Sequence, residues 1–267
     1  MQDLTLAYRI MAKPLASDPI QALFAPSIPP APAAKRYIGI YRAWWDQADS
    51  RVLKVCNDAI GWFAAQHYEV IPIYIPLVDV GQLAHSGACL AEMANTARSR
   101  SNNPSDNLTS PATQLLLTIG AQTPAGDLFK YAALRELLMQ HLAHLFQSHP
   151  GLLIVTPTTA VNGWPKHAGD DAVGLSDGNA TIRAMTYVWL ANSTGCPAVS
   201  VPVGYAQPAV GSGRLPVSLM AMGEWGAEEQ LLAWSGEAET YLNEVVEGGR
   251  VRPDQWVDVI QLAQDKK

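Results

Sequence analysis

Residues 192–204, "NSTGCPAVSVPVG", combine one turn-forming glycine and two prolines with alternating small and β-branched residues. Proline has no N–H to donate to a sheet, so Pro197 and Pro202 restrict a strand here to an edge, a start or a bulge. Gly195 follows a predicted helix over residues 180–191, where a helix end favours a left-handed residue. The stretch therefore predicts a helix, a sharp turn and a strand. Such turns commonly lie beside ligands in α/β enzymes.

Short apolar runs rich in β-branched residues alternate with helical stripes along the rest of the chain. This pattern predicts an α/β fold in which a mixed β-sheet is covered by helices on both faces. Strands are expected near residues 37–41, 69–75, 152–156, 198–203 and 215–221. The segment 36–75 is predicted to be strand, helix and strand, which indicates a βαβ unit with parallel strands.

Apolar residues at helical spacing predict the positions of the helices. Helices are expected over residues 3–11, 77–98, 126–147, 180–191 and 226–239. In the first of them Leu4, Ala7, Tyr8 and Met11 form one stripe, which predicts a face to bury. Residues 101–111, "SNNPSDNLTSP", are rich in turn formers and are expected to be exposed.

The composition indicates a globular chain with an extensive interior. Hydrophobic residues make up 48% of its 267 residues, and charged residues only 16%, compared with about a quarter in average soluble domains. The formal net charge is -6, and no cluster of Lys and Arg exceeds the short "ARSR" at 97–100. A nucleic-acid partner is therefore not expected, because binding to phosphates needs a basic surface.

The cysteine pattern and the apolar runs indicate a cytoplasmic protein. Cys56, Cys89 and Cys196 are widely separated and form no C-x-x-C pair, so free thiols are expected. The longest apolar stretch, "VIPIYIPLV" at 70–78, is too short to cross a bilayer and contains two prolines. The N-terminal residues lack a basic and then apolar signal pattern. No membrane association is expected.

A serine motif near the middle of the chain is a candidate nucleophile. Residues 174–178, "GLSDG", match the G-x-S-x-G pattern of a nucleophile elbow. That motif requires a strand before the serine and a helix after it. A helix is predicted after Ser176, but the preceding "KHAGDDAV" is a polar loop. A loop that caps the next helix is favoured, and Ser176 is not assigned as a nucleophile.

Two other pairs could carry chemistry but favour ordinary structural interpretations. His141 and His144 stand i, i+3 on a predicted helix, a spacing that suits a metal, but no acidic third ligand accompanies them. Asp170 and Asp171 could share a proton if buried, but their loop is polar and contains glycine.

Residues 211–213, "GSG", lack the lysine of a phosphate-binding loop. No metal and no cofactor are expected.

Four segments together resemble the C-terminal half of the amidase signature family, and fungal-type amidases in particular. They are "DLTLAYRIMA" at 3–12 followed by "SDP", "LLIVTPTTA" at 152–160, "NSTGCPAVSVPVG" at 192–204 and "LPVSLMAMGEWGAEEQLLAWSGEAE" at 215–239. The last two are the most specific. The resemblance implies an amidase-type α/β fold that is incomplete at its N-terminal side. Residues 1–240 would be the C-terminal part of an amidase domain, and residues 241–267 a tail with a terminal helix.

The resemblance also bears on catalysis. Members of this family are serine hydrolases that cleave carboxamides with a Lys and two Ser, which lie upstream of the helix similar to "DLTLAYRIMA". No segment of residues 1–267 matches the Gly/Ser-rich signature that carries the nucleophile. The resemblance therefore assigns no catalytic residue to this chain and implies that the chain is inactive alone. An activated serine would also need a base within hydrogen-bond reach and oxyanion donors.

By the same resemblance, the turn at 192–204 is architectural and lines a pocket. Thr156, Thr158, Thr194 and Gly195 would be wall residues of the substrate pocket. The implied ligand is the small-molecule amide of the full-length relatives, and the implied partner is an N-terminal half or a second copy of the chain.

An alternative from another class stays open: a non-catalytic small-molecule-binding or scaffold module derived from an amidase. If the family's sheet continues into a separate front half, an exposed apolar patch is expected near residues 152–158 and 192–204.

Overall fold

A computed structural model describes residues 1–15, 17–18, 35–100, 110–174, 177–252 and 255–264. The helices in this part of the chain are α1 (Gln2–Met11), α2 (Arg42–Trp45), α3 (Ser50–Ala65), α4 (Val78–Arg100), α5 (Pro111–Ala121), α6 (Ala125–Ser148), α7 (Asp170–Val173), α8 (Gly178–Ala184), α9 (Trp189–Thr194), α10 (Glu228–Glu244) and α11 (Val259–Gln264). The strands are β1 (Arg36–Ile40), β2 (Tyr68–Pro72), β3 (Leu152–Pro157), β4 (Ala198–Ala206) and β5 (Leu215–Met222). No helix among these residues is both long and apolar enough to cross a membrane.

The strands form one mixed sheet in the order β2-β1-β3-β5-β4. Strand β1 pairs in parallel with β2 and β3, whereas β5 pairs antiparallel with β3 and β4. The predicted strands and the parallel βαβ unit are confirmed. Strand β4 lies at the sheet edge, and its register with β5 shifts between Pro202 and Gly204. A sheet edge and an irregular register are places where a strand can accommodate proline.

Strand β3 occupies the centre of the core. All six of its residues are buried, and since alternate side chains of a strand point to opposite faces, the sheet is covered on both sides here. Helix α3 contacts β2, β3, β4 and β5, and α10 contacts β4 and α3. The buried Phe63 of α3 stacks on Trp234 of α10, with ring centroids 5.3 Å apart. The predicted α/β architecture is confirmed.

The structure corrects the predicted continuous helix over residues 180–191. It contains two helices instead, α8 and α9, separated by a turn. Tyr187 in that turn is fully buried, and its hydroxyl donates to the carbonyl oxygen of Trp45 at 2.9 Å. The indole of Trp44 donates to the carbonyl oxygen of Thr186 at 3.1 Å. These contacts with distant residues satisfy the backbone and interrupt the local helical periodicity.

The structure also adds helix α5, which was not predicted from the sequence. It begins at a Ser-Pro pair: the Ser110 hydroxyl accepts from the backbone N–H of Thr113, and Pro111 stands in the first turn. Both residues favour a helix start. Residues 101–109 of the turn-rich segment lie outside the described residues.

The predicted burial of the α1 stripe is wrong for this chain. Helix α1 forms, but none of its residues is buried, and the Met11 side chain is 78% exposed. An ion pair between Arg9 and Glu229 of α10 (2.6 Å) joins the helix to the body. The local periodicity was correct, but the other described elements do not cover this face.

The expected apolar patch is also largely wrong. Strand β3 is buried because β1 and β5 flank it and helices cover both faces. In β4, Ala198 and Ser200 are exposed, whereas Val201 and Val203 are buried. The large exposed apolar side chains lie elsewhere, on α1, α4, α5 and α6: Leu6, Ile10, Leu83, Leu115, Ile119 and Phe129. The predicted domain division at residue 240 stays a prediction.

Candidate functional site

The turn at residues 192–195 adopts the backbone conformation that its glycine predicts. Helix α9 ends at Thr194, and Gly195 has a φ of 75°, in the left-handed region. The N–H of Gly195 donates to the carbonyl oxygen of Ala191 at 2.8 Å. Glycine is required there because a Cβ destabilises this conformation.

Thr194, the last residue of α9, is held by hydrogen bonds of both its side chain and its carbonyl oxygen. The Thr194 side chain is buried, and its hydroxyl donates to the carbonyl oxygen of Leu190 at 2.8 Å. The indole of Trp225 donates to the carbonyl oxygen of Thr194 at 2.9 Å and packs edge-on against Phe146. No sequence pattern indicates this role for Trp225, because the contact joins residues distant in the chain.

The other two predicted wall residues lie at the end of β3. Thr156 and Ser200 both pair with Met220 of β5, one from each side. The Thr158 hydroxyl lies 2.7 Å from the Ser200 hydroxyl. The buried Thr156 hydroxyl has no hydrogen-bond partner among the described residues. A small hydroxyl cluster therefore marks this end of the sheet.

A cleft of about 570 Å³ opens beside the 192–195 turn. We call it the α4–α6 cleft; parts of residues 81–95 of α4, 128–138 of α6 and 192–195 line it. Gly195 is the one predicted wall residue in its lining, which does not include Thr156, Thr158 or Thr194. The structure thus separates the turn and its cleft from the hydroxyl cluster.

Three polar residues of α4, His85, Cys89 and Glu92, contribute to one side of the cleft. The His85 Nε2 and Cys89 Sγ atoms are 3.5 Å apart. Burial lowers the pKa of His85 below 6.5, although Glu92 opposes that shift. Burial, with Glu92 as a second cause, raises the pKa of the Cys89 thiol. Burial therefore favours the neutral form of both groups. Their i, i+4, i+7 spacing is the sequence signal that could have indicated this group.

The structure favours the ordinary interpretations of the histidine and aspartate pairs. A ring nitrogen of His141 lies 2.6 Å from the carbonyl oxygen of Tyr74, and His144 is exposed. Asp170 accepts a hydrogen bond from the backbone N–H of His167 at 2.6 Å. Ser176 and the side chain of Asp171 lie outside the described residues. Within the described ranges no group of three or more His, Cys, Asp or Glu could hold a metal ion.

Residues 1–232 match the family model described as Amidase. Among curated proteins, the chain is 27% identical over 225 residues to a fatty acid amide hydrolase of Medicago truncatula, covering 84% of this chain and 35% of that protein. It is also 27% identical over 208 residues to a fatty acid amide hydrolase of Arabidopsis thaliana, covering 76% of this chain and 32% of that protein. The chain therefore spans about a third of the length of these relatives.

Solved structures show the same fold at lower identity. Allophanate hydrolase from Kluyveromyces lactis aligns with a TM-score of 0.72 and 17% identity, covering 96% of this chain and 40% of that chain. A structure described as an amidase aligns with a TM-score of 0.64 and 19% identity, covering 80% of this chain and 47% of that chain. A bacterial aryl acylamidase of the amidase signature family aligns with a TM-score of 0.60 and 17% identity, covering 78% of this chain and 44% of that chain.

Proposed function

The chain belongs to the amidase family, and from this premise we propose that it supplies the C-terminal part of an enzyme that hydrolyses carboxamide C–N bonds. The family match over residues 1–232 is the observation that carries the proposal. The curated relatives are named fatty acid amide hydrolases, which supports a small-molecule amide as the substrate.

The role proposed for this chain is to form part of the substrate pocket. The turn at 192–195 is held by the left-handed Gly195 and by the hydrogen bond from Trp225 to Thr194. Thr156 and Thr158 stand at the carboxyl end of β3, and the ends of strands are where open α/β sheets commonly bind ligands. These two groups would line the pocket from different sides.

The proposed mechanism uses a Lys and two Ser from an amidase signature segment that residues 1–267 do not contain. An activated serine hydroxyl needs a base and oxyanion donors around it. In the part of the chain that the structure describes, His85 and Cys89 form a thiol–imidazole pair, but burial favours the neutral form of both groups, so this pair is not proposed as an activated nucleophile. We propose that this chain acts in the cytoplasm, paired with an N-terminal half or with a second copy.

Purified residues 1–267 are expected neither to hydrolyse carboxamides nor to react with a serine-directed fluorophosphonate probe. Addition of an N-terminal amidase half that carries the signature is expected to restore both carboxamide hydrolysis and reaction with the probe. Strong labelling of the chain alone that a Ser176→Ala substitution abolishes would contradict the proposal. Failure of several such halves to restore hydrolysis, with the chain folded by circular dichroism, would favour the second candidate.

That second candidate is a non-catalytic small-molecule-binding module. The α4–α6 cleft favours it, because its volume of about 570 Å³ lies within the roughly 300–1,000 Å³ typical of ligand pockets. Ligand binding by a chain that no N-terminal half activates would support it.

A further inference from the structure

We propose that the α4–α6 cleft binds a neutral, mostly apolar small molecule that carries one hydrogen-bonding group. This binding is a property of residues 1–267 themselves. It rests on the second candidate function and deepens it by naming the class of ligand, and no catalytic residue is needed for it.

The apolar character of the ligand follows from the walls. Leu128, Leu134 and Leu138 of α6 line one side, and Ala84 and Ala88 of α4 line the other. Removal of an apolar group from water against such walls stabilises a complex by about 25 cal/mol per Å². A mostly apolar molecule is therefore the occupant that these surfaces favour.

The neutrality of the ligand follows from the charges in the lining. Glu92 and Arg135 contribute one charge of each sign, and both are exposed. Burial favours the neutral forms of the more enclosed His85 and Cys89. An ionic ligand would lose hydration without meeting an excess of opposite charge, which disfavours it. A hydroxyl or similar group can instead hydrogen-bond to Glu92, Asn95 or Arg135.

The shape of the cleft is set by close packing of two rings against glycines of α4. A Cβ at Gly81 would lie 2.4 Å from the Trp189 ring, and a Cβ at Gly87 would lie 2.8 Å from the Tyr131 ring. Both glycines therefore let these rings approach the helix backbone. The wall is in place before a ligand arrives, so binding requires little reorganisation.

Cys89 provides a reporter for occupancy. Its thiol is in the lining and partly exposed, whereas Cys56 and Cys196 are buried. The rate of its reaction with dithionitrobenzoate at pH 8 would be measured on the full chain with octan-1-ol, octanoate or octylammonium. Competitive protection slows the reaction by the factor 1 + [L]/Kd, about tenfold when octanol is present at nine times Kd. A Cys89→Ser variant identifies the reacting thiol.

Two adjacent alanines of α6 supply a matched pair of variants. Ala132 lines the cleft and Ala133 does not, and both are exposed, so neither substitution disturbs the core. We expect Ala132→Leu to abolish protection by octanol and Ala133→Leu to retain it, with circular dichroism unchanged. Stronger protection by octanol than by either ion, together with this difference between the variants, would support the inference. Absence of protection, equal protection by an ion, or identical behaviour of the two variants would overturn it.

The outcome is separate from that of the proposed hydrolysis. Protection of Cys89 without restored hydrolysis would support ligand binding in the cleft and contradict the proposed enzyme. Restored hydrolysis without protection would support the enzyme and contradict ligand binding in the cleft.

Discussion

The indole nitrogen of Trp225 donates a 2.9 Å hydrogen bond to the carbonyl oxygen of Thr194, thirty-one residues earlier in the chain. This carbonyl belongs to the last residue of α9, where a helix leaves its final carbonyl groups without partners in the helix. The loop after β5 thereby fixes the turn that the left-handed Gly195 begins. The geometry of the candidate pocket wall depends on both residues.

Substitution Trp225→Phe is expected to lower the free energy of unfolding by about 1 kcal/mol, since it keeps an aromatic ring beside Phe146 but removes the hydrogen bond. Urea denaturation would measure the change. Trp164→Phe is the matched control, because both indoles are 37% exposed and the Trp164 indole makes no such bond within the described residues. Equal effects of the two substitutions would contradict the role given to the hydrogen bond.

Substitution Gly195→Ala is expected to destabilise the protein by about 1–2 kcal/mol, because a Cβ is strained in the left-handed region. Gly61 in α3 is exposed, and apart from its own stretch of helix no described atom lies within 4 Å of the place that a Cβ would take. Gly61→Ala should therefore stabilise the protein by about 0.5–1 kcal/mol. Thermal denaturation of both variants would show the opposite signs. A stable Gly195→Ala variant would argue against the strained turn.

Stability is expected to fall as the pH drops through 6.5, in part because of His85. Burial lowers its pKa in the folded protein below 6.5, so the unfolded chain binds more protons in that interval and stability rises with pH there. His85→Gln should reduce the difference in urea midpoint between pH 7.5 and pH 5.5, and exposed His144→Gln should not. Glu92→Gln should enlarge the difference, since Glu92 favours the protonated imidazole.

Substitution Phe63→Ala is expected to cost about 3–5 kcal/mol, because it leaves a cavity in the core. Phe63 is fully buried between Trp234, Tyr68 and Trp62. Phe129, which is 76% exposed on α6, provides the control; Phe129→Ala should change stability by less than about 0.5 kcal/mol. Guanidinium denaturation would separate the two, and comparable losses would contradict the close packing of α3 on α10.

Local chemistry was sufficient to predict much of the fold from the sequence. The five strands were predicted from β-branched apolar runs. The two prolines restricted β4 to a strand start, an edge or a bulge, and the structure has it at the edge with a register shift. The left-handed residue was predicted from a glycine at the end of a helix. Each of these features depends on φ restriction, missing donors or periodicity over a short local stretch, so a single sequence carries them.

Burial followed the sequence less closely, because it depends on which elements meet. The stripe of α1 has the period of a buried face but is exposed, and an exposed apolar patch was expected near β3, which is buried. The helix predicted over 180–191 is interrupted where the Tyr187 hydroxyl reaches Trp45. That hydrogen bond spans 142 residues, and no local pattern encodes it.

The sequence by itself determined the amidase resemblance, the α/β class and the backbone of the 192–204 turn. Only the tertiary structure decided that Gly195 lines the α4–α6 cleft, whereas Thr156 lies apart from it, near the contact between the Thr158 and Ser200 hydroxyls. Propensity and turn chemistry are short-range properties of the chain, whereas a cleft exists only where helices distant in sequence pack side by side. Its walls therefore depend on contacts such as Gly81 with Trp189, which form only when the whole core has assembled.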